Sequence, residues 1–181
     1  RVEKLVLISA VTKRWLTKKD PLYRKAKVLF SPTWESYTWA MFRGFFGLAP
    51  KSITRTLLNQ LSTKGSESFT TKEMTEIKEM VFKQSSGRGF VNDLNQDIGS
   101  TILEQIICPT LILHSEHDKS VNISMARHAD SKIPNSRLST YRNKWGHLLW
   151  VGEDSEQPIN DAMQFIKQTM DNSTNTGPDT R

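Results

Sequence analysis

Asp118 and His147 are of the types that move protons; Asp118 stands in a polar loop just after a short apolar run, and His147 in a loop after the stretch Ser136 to Tyr141. The first loop closes the stretch Ile-Ile-Cys-Pro-Thr-Leu-Ile-Leu-His-Ser-Glu-His-Asp (106–118), and the second reads Asn-Lys-Trp-Gly-His (143–147). An acid just past the carboxyl end of a strand lies where open α/β sheets hold their chemistry. A histidine past the end of the next strand is set to meet it at one edge of the sheet, a pairing suited to proton transfer. Alone, an aspartate after a strand is ordinarily a turn residue or helix cap. The separation of the two loops is what gives the pair meaning. Glu116 is the alternative acid. His114, His117, Asp118 and His128 would be the donors of a metal cluster, but His114 belongs to the strand and no cysteine set of the zinc type accompanies it. No metal is expected.

The elements that must hold the pair follow from the pattern around it. Thr110 to His114 is a continuous apolar run with Pro109 before it and polar residues after it, the pattern of a parallel strand covered on both faces. Residues 123–133 predict a crossover helix, broken by Pro134-Asn135, and Ser136 to Tyr141 predicts the next strand. Leu5-Val6-Leu7-Ile8 is also continuous, so residues 2–10 are expected to form a strand buried on both faces. Pro158 suits the first turn of a last helix, whose stripe is Ile159, Met163, Phe165 and Ile166.

These residues resemble the C-terminal half of an α/β-hydrolase. The acid loop is Leu-Ile-Leu-His-Ser-Glu-His-Asp-Lys-Ser-Val, and the histidine loop is Trp-Gly-His. In that family a serine-histidine-aspartate triad runs in the chain order nucleophile, acid, histidine. The resemblance implies Asp118 as the acid and His147 as the general base, with Gly146 letting the loop turn tightly. Two departures stand in the acid loop: Ser115 where the family often has glycine, and Asn122 where it often has proline.

The third member is missing. No Gly-x-Ser-x-Gly occurs, and neither the Gly65 nor the Ser85–Gly89 stretch follows an apolar strand, as the nucleophile turn requires. Arg1 to Ala10 looks like the strand after the nucleophile helix, so the chain is expected to lack the N-terminal half and the nucleophile. The implied fold class is α/β: a partial α/β-hydrolase fold of three parallel strands, equivalent to the last three of the sheet, with flanking helices and an inserted helical cap. Residues 1–10 and 101–170 would form the core, 11–100 the cap, and 171–181 a disordered polar tail.

The region 11–100 reads as mostly helical. Helix starts are expected at Thr33-Trp34-Glu35, at Ala49-Pro50 and at Thr70-Thr71-Lys72-Glu73, with a further short helix over 90–98. The resemblance implies that this cap roofs the active site, with Trp34, Phe42, Phe45 and Phe46, and Leu148 beside the histidine, lining an apolar substrate pocket; the plainer expectation is that they pack the helices against each other and the core. Lys13 to Lys27 is basic with Trp15 and Tyr23 interleaved. Such a run is usually a solvated face, and no nucleic-acid partner is expected.

Composition sets outer bounds. The chain has 181 residues, 36% of them hydrophobic, a formal net charge of +6, and one cysteine, Cys108. A lone cysteine cannot close an intrachain disulfide, and with no signal peptide or membrane-spanning run in view a cytoplasmic protein without stable membrane insertion is expected. The function implied by the resemblance is hydrolysis of a carboxylic ester or related small acyl substrate without a cofactor, through a serine outside this chain. The chain alone is then expected to be inactive and to need its missing half, or another chain, to fold. The alternatives are epoxide or haloalkane hydrolysis with an aspartate nucleophile, and a non-catalytic hydrolase-fold remnant or binding protein.

Overall fold

Leu111, Ile112 and Leu113 are completely or almost completely buried, and the chain is layered around the strand that contains them. The computed structural model describes residues 2–31, 33–83, 94 and 99–173. Strand β2 (Thr110–Ser115) is the middle of a three-stranded parallel sheet, between β1 (Leu5–Ile8) and β3 (Ser136–Tyr141). Val6 stands opposite Leu111, and Leu111 opposite Arg137. All six residues of β2 are buried.

Because side chains alternate along a strand, β2 feeds two separate cores. Ile112 packs with Leu7 and Leu138 against Ala126, Ala129 and Ile133. Those alanines lie on helix α6 (Ser124–Lys132), the crossover between β2 and β3. Leu111 and Leu113 point to the opposite face, where Tyr141, Leu149, Ala162 and Phe165 meet them. The last two belong to helix α7 (Glu156–Ser173). The result is a helix, sheet, helix sandwich, the arrangement that a continuous apolar strand needs.

The first strand is shorter than the predicted 2–10. Its pairing ends at Ile8, and Ser9 takes a left-handed backbone with φ of 47°. The last helix runs through Ser173, past the expected boundary at 171, and residues 174–181 lie outside the described residues.

The described residues between β1 and β2 are mostly helical. Helices α1 (Pro21–Leu29) and α3 (Pro50–Leu61) each begin with a proline, whose fixed φ suits the first turn and whose missing N–H has no intrahelical partner there in any case. Helix α2 (Glu35–Leu48) lies between them, and α4 (Thr71–Lys83) and α5 (Ser100–Glu104) follow. The start of α4 is a reciprocal cap: the Thr70 amide donates to Glu73 Oε2 at 2.8 Å, and the Glu73 amide to Thr70 Oγ1 at 3.3 Å. The predicted helix over 90–98 lies outside the described residues except for Leu94, which is helical and buried with Tyr23 and Ala26.

The helical region and the sheet region share a core. Phe46, Leu58, Ile77 and Val81 from the helices, with Phe69 from the connection before α4, pack with Trp145 and Leu148 of the histidine loop. Trp145 is fully buried, edge-on to Phe69 at 5.0 Å between ring centres. The interleaved aromatics of the basic stretch also turn inward: Tyr23 is buried, and Trp15 Nε1 donates to the Ser120 carbonyl at 3.0 Å. No helix among the described residues is long and apolar enough to cross a membrane.

Candidate active site

The parallel register leaves the carboxyl ends of β2 and β3 level, so the loops leaving them are neighbours. Asp118 follows β2 by three residues and His147 follows β3 by six. His147 Nδ1 and Asp118 Oδ2 are 2.9 Å apart, within hydrogen-bonding distance. A carboxylate only accepts, so Nδ1 carries the proton when the imidazole is neutral. Nε2 is then the unprotonated nitrogen, and it has no hydrogen-bond partner among the described residues.

The two side chains differ in exposure as their chemistry requires. The carboxylate of Asp118 is fully buried, whereas the ring of His147 keeps 24% of its surface open. A buried carboxylate must be hydrogen-bonded to be tolerated. The second oxygen, Oδ1, accepts the Val121 amide at 2.7 Å. His114 Nε2 lies 3.6 Å from Oδ2 and donates to the Val121 carbonyl at 2.9 Å. Burial lowers the His114 pKa from the ordinary histidine value, against the opposing pull of the Val121 hydrogen bond and the Asp118 charge, and so favours the neutral ring beside the carboxylate.

The loop departures have local explanations. Ser115 Oγ accepts the His117 amide at 3.1 Å and tightens the turn in front of Asp118. Asn122 Oδ1 accepts the Ser124 amide at 2.9 Å, an Asx turn that leads into α6. Polar side chains here do by hydrogen bonding what glycine and proline do by backbone preference.

A contact the sequence does not announce joins both loops to the helices. The Leu61 carbonyl, at the end of α3, accepts the His147 amide at 2.9 Å and the Lys119 amide at 3.3 Å. Ser62 and Asp118 form an isolated antiparallel bridge, and the Thr63 amide donates to the His117 carbonyl at 3.0 Å. Gly146 (φ +57°) completes the junction, because a β-carbon there would lie 2.4 Å from the Leu61 carbonyl oxygen. Backbone carbonyls do this work, and residue types alone give no sign of it.

Other predicted residues fall elsewhere. Glu116 pairs with Arg142 at 2.7 Å, and the carboxylate that meets His147 is that of Asp118. His117 stands 3.1 Å from Thr63 Oγ1 and His128 3.4 Å from Thr12 Oγ1. The expected pocket residues are not gathered around one cavity. Phe46 and Leu148 are core residues, while Trp34 and Phe45 are exposed on the outside of the helices. Phe42 is half-buried against Trp39. For Phe46 and Leu148 the plainer expectation, packing of helices onto the histidine loop, is the one the structure displays. Trp150 adds an aromatic edge 6.2 Å from the His147 ring centre.

No protein-family model matches the chain. A curated relative, an uncharacterized hydrolase (YcgS) of Bacillus subtilis, is 34% identical over 173 residues, which are 92% of this chain and 61% of the relative. Among solved structures, an α/β hydrolase fold protein from Nakamurella multipartita superposes with a TM-score of 0.63 at 23% identity, covering 91% of this chain and 60% of that one. An esterase from Exiguobacterium antarcticum gives 0.61 at 16% identity, over 91% and 57%. MenH from S. aureus gives 0.60 at 17%, over 92% and 59%. The chain has a partial α/β-hydrolase fold, and it spans about three-fifths of the length of these proteins.

Proposed function

We propose that this partial α/β-hydrolase fold supplies the acid and the general base of a hydrolase that cleaves a carboxylic ester or related acyl substrate through a serine outside residues 1–181. The observation that carries this reading is the 2.9 Å contact between Asp118 and His147, with the remaining imidazole nitrogen left for a proton donor. His147 Nε2 takes the proton of the serine hydroxyl as the oxygen attacks the acyl carbon, then returns it to the leaving alkoxide. Asp118 keeps the proton on Nδ1 and stabilises the imidazolium while it lasts. The same cycle, with water in place of the alcohol, releases the acid.

The helical residues 11–100 act in this reading as a cap tied to the histidine loop through the Leu61 carbonyl, with Leu148 and Trp150 flanking the histidine. Strand β1 pairs on one side with β2, and Ile8 at its end is 38% exposed. Pairing of β1 with a further strand completes the sheet, and the chain depends on that strand for stability. The relative described as a hydrolase and the esterase among its structural neighbours support the reaction class. Cys108, the single cysteine, fits a reducing compartment such as the cytoplasm.

The test is an ester panel assayed on the complete protein, followed by peptide mapping after a serine-reactive phosphonate. Ester turnover with the label on a serine outside residues 1–181 is expected. Label on a serine within them, or release of halide or diol with no ester turnover, contradicts the proposal. The second result would point to an aspartate nucleophile.

A further inference from the structure

We propose that His114 is a positioning residue that fixes which way the Asp118 carboxylate faces, and so holds its Oδ2 on His147. The proposal extends the acid–base reading of that pair. His114 lies inside strand β2 with no exposed surface, four residues before the acid. Histidine is a poor choice for filling an apolar core, since it buries two polar nitrogens.

The hydrogen bonds explain its presence. Val121 uses both of its backbone groups on this site: its N–H donates to Asp118 Oδ1 at 2.7 Å, and its carbonyl accepts His114 Nε2–H at 2.9 Å. The loop from Ser115 to Val121 is thereby tied back to the strand it leaves. Because a carbonyl only accepts, the proton of neutral His114 is on Nε2. That same N–H lies 3.6 Å from Asp118 Oδ2, the oxygen that His147 uses. Nδ1 of His114 is buried with no hydrogen-bond partner among the described groups. A second proton there would be a stranded donor in the interior.

One carboxylate oxygen is thus pinned by Val121, while Val121 is itself pinned by His114. Removing the ring's N–H frees the Val121 peptide to turn, and the carboxylate turns with it. Displacements of this order at a reacting group cost heavily, because the proton acceptor must be aligned when the nucleophile attacks.

The experiment is long-range proton–nitrogen NMR on the complete protein labelled at histidine, where this chain contributes four histidines. In the unaltered protein His114 is expected as the neutral Nε2–H form and His147 with a downfield, exchange-protected Nδ1–H. His114→Leu, of similar volume without a donor, is expected to lose the His147 Nδ1–H signal and to lower kcat by on the order of tenfold to a hundredfold with KM little changed. His114→Gln, whose amide reaches the Val121 carbonyl, is expected to restore both. If His114→Leu does not fold, His114→Asn, polar but too short to reach Val121, takes its place. A Nδ1–H signal that survives the leucine or the asparagine substitution, or a glutamine variant no better than either, overturns the proposal. Loss and rescue of the signal in a protein without ester turnover would uphold the positioning role and contradict the catalytic reading alone.

Discussion

The α-carbon of Gly146 approaches the Leu61 carbonyl so closely that a β-carbon at residue 146 would lie 2.4 Å from the oxygen. That carbonyl also accepts the amide of His147, so the end of α3 sets the position of the base. Helices and loops therefore meet at a backbone junction with no room for a side chain, while the cluster of Phe46, Leu58, Trp145 and Leu148 packs beside it.

Gly146→Ala is expected to damage both stability and the site. The left-handed φ of +57° alone costs a non-glycine residue about 1–3 kcal/mol, and the clash with Leu61 adds to it. A lowered thermal midpoint, with loss of the His147 Nδ1–H signal, is the expected outcome. A variant with unchanged melting and an unchanged His147 signal would show that the junction is loose.

Glu73 gives a pH-dependent test of how the helices are tied to the histidine loop. Its Oε1 meets Lys144 Nζ at 2.7 Å, three residues before His147, while Oε2 caps α4. Burial opposes the charge of Glu73, but the hydrogen bond from Lys144 and those from Thr70 outweigh it and hold the carboxyl below its usual range. A carboxyl depressed in the folded state contributes fully above the unfolded value, and its contribution is lost as pH falls through the folded one. Glu73→Gln is therefore expected to be less stable than the unaltered protein near neutrality by about 0.5–1 kcal/mol. The gap should close as pH drops below the carboxylate range. Denaturant unfolding at a series of pH values measures it, and a gap that widens in acid would contradict the assignment.

Strands and site loops were legible because their signals are made of residue types. The continuous run Thr110–His114, the breaks at Pro109 and Pro134-Asn135, and the acid and histidine after successive strands all survive into the structure with small shifts at the ends. The helix starts at Pro50 and at Thr70 followed by Glu73 were legible for the same reason. What sequence could not supply was anything carried by the backbone. The Leu61 carbonyl, the two bonds of the Val121 peptide and the left-handed turn at Ser9 leave no mark in residue type. The residue pattern places His114 in a strand, where it lies, but its bond to a carbonyl seven residues onward depends on how the loop folds back. The aromatic helix was the opposite case. Its composition suggested a pocket, yet composition does not say which face turns inward, and Phe46 turned into the core while Trp34 stayed outside.

The most direct test of the acid–base pair is steady-state kinetics of Asp118→Asn and His147→Gln in the complete protein, each checked for retained fold by circular dichroism. An asparagine keeps the shape of the acid but removes the charge that holds the imidazole tautomer, and a glutamine removes the base. Each is expected to lower kcat by about 10³–10⁴-fold with little change in KM. Turnover within tenfold of the unaltered protein in either variant would contradict the account, because the 2.9 Å contact would then serve the fold and not the reaction.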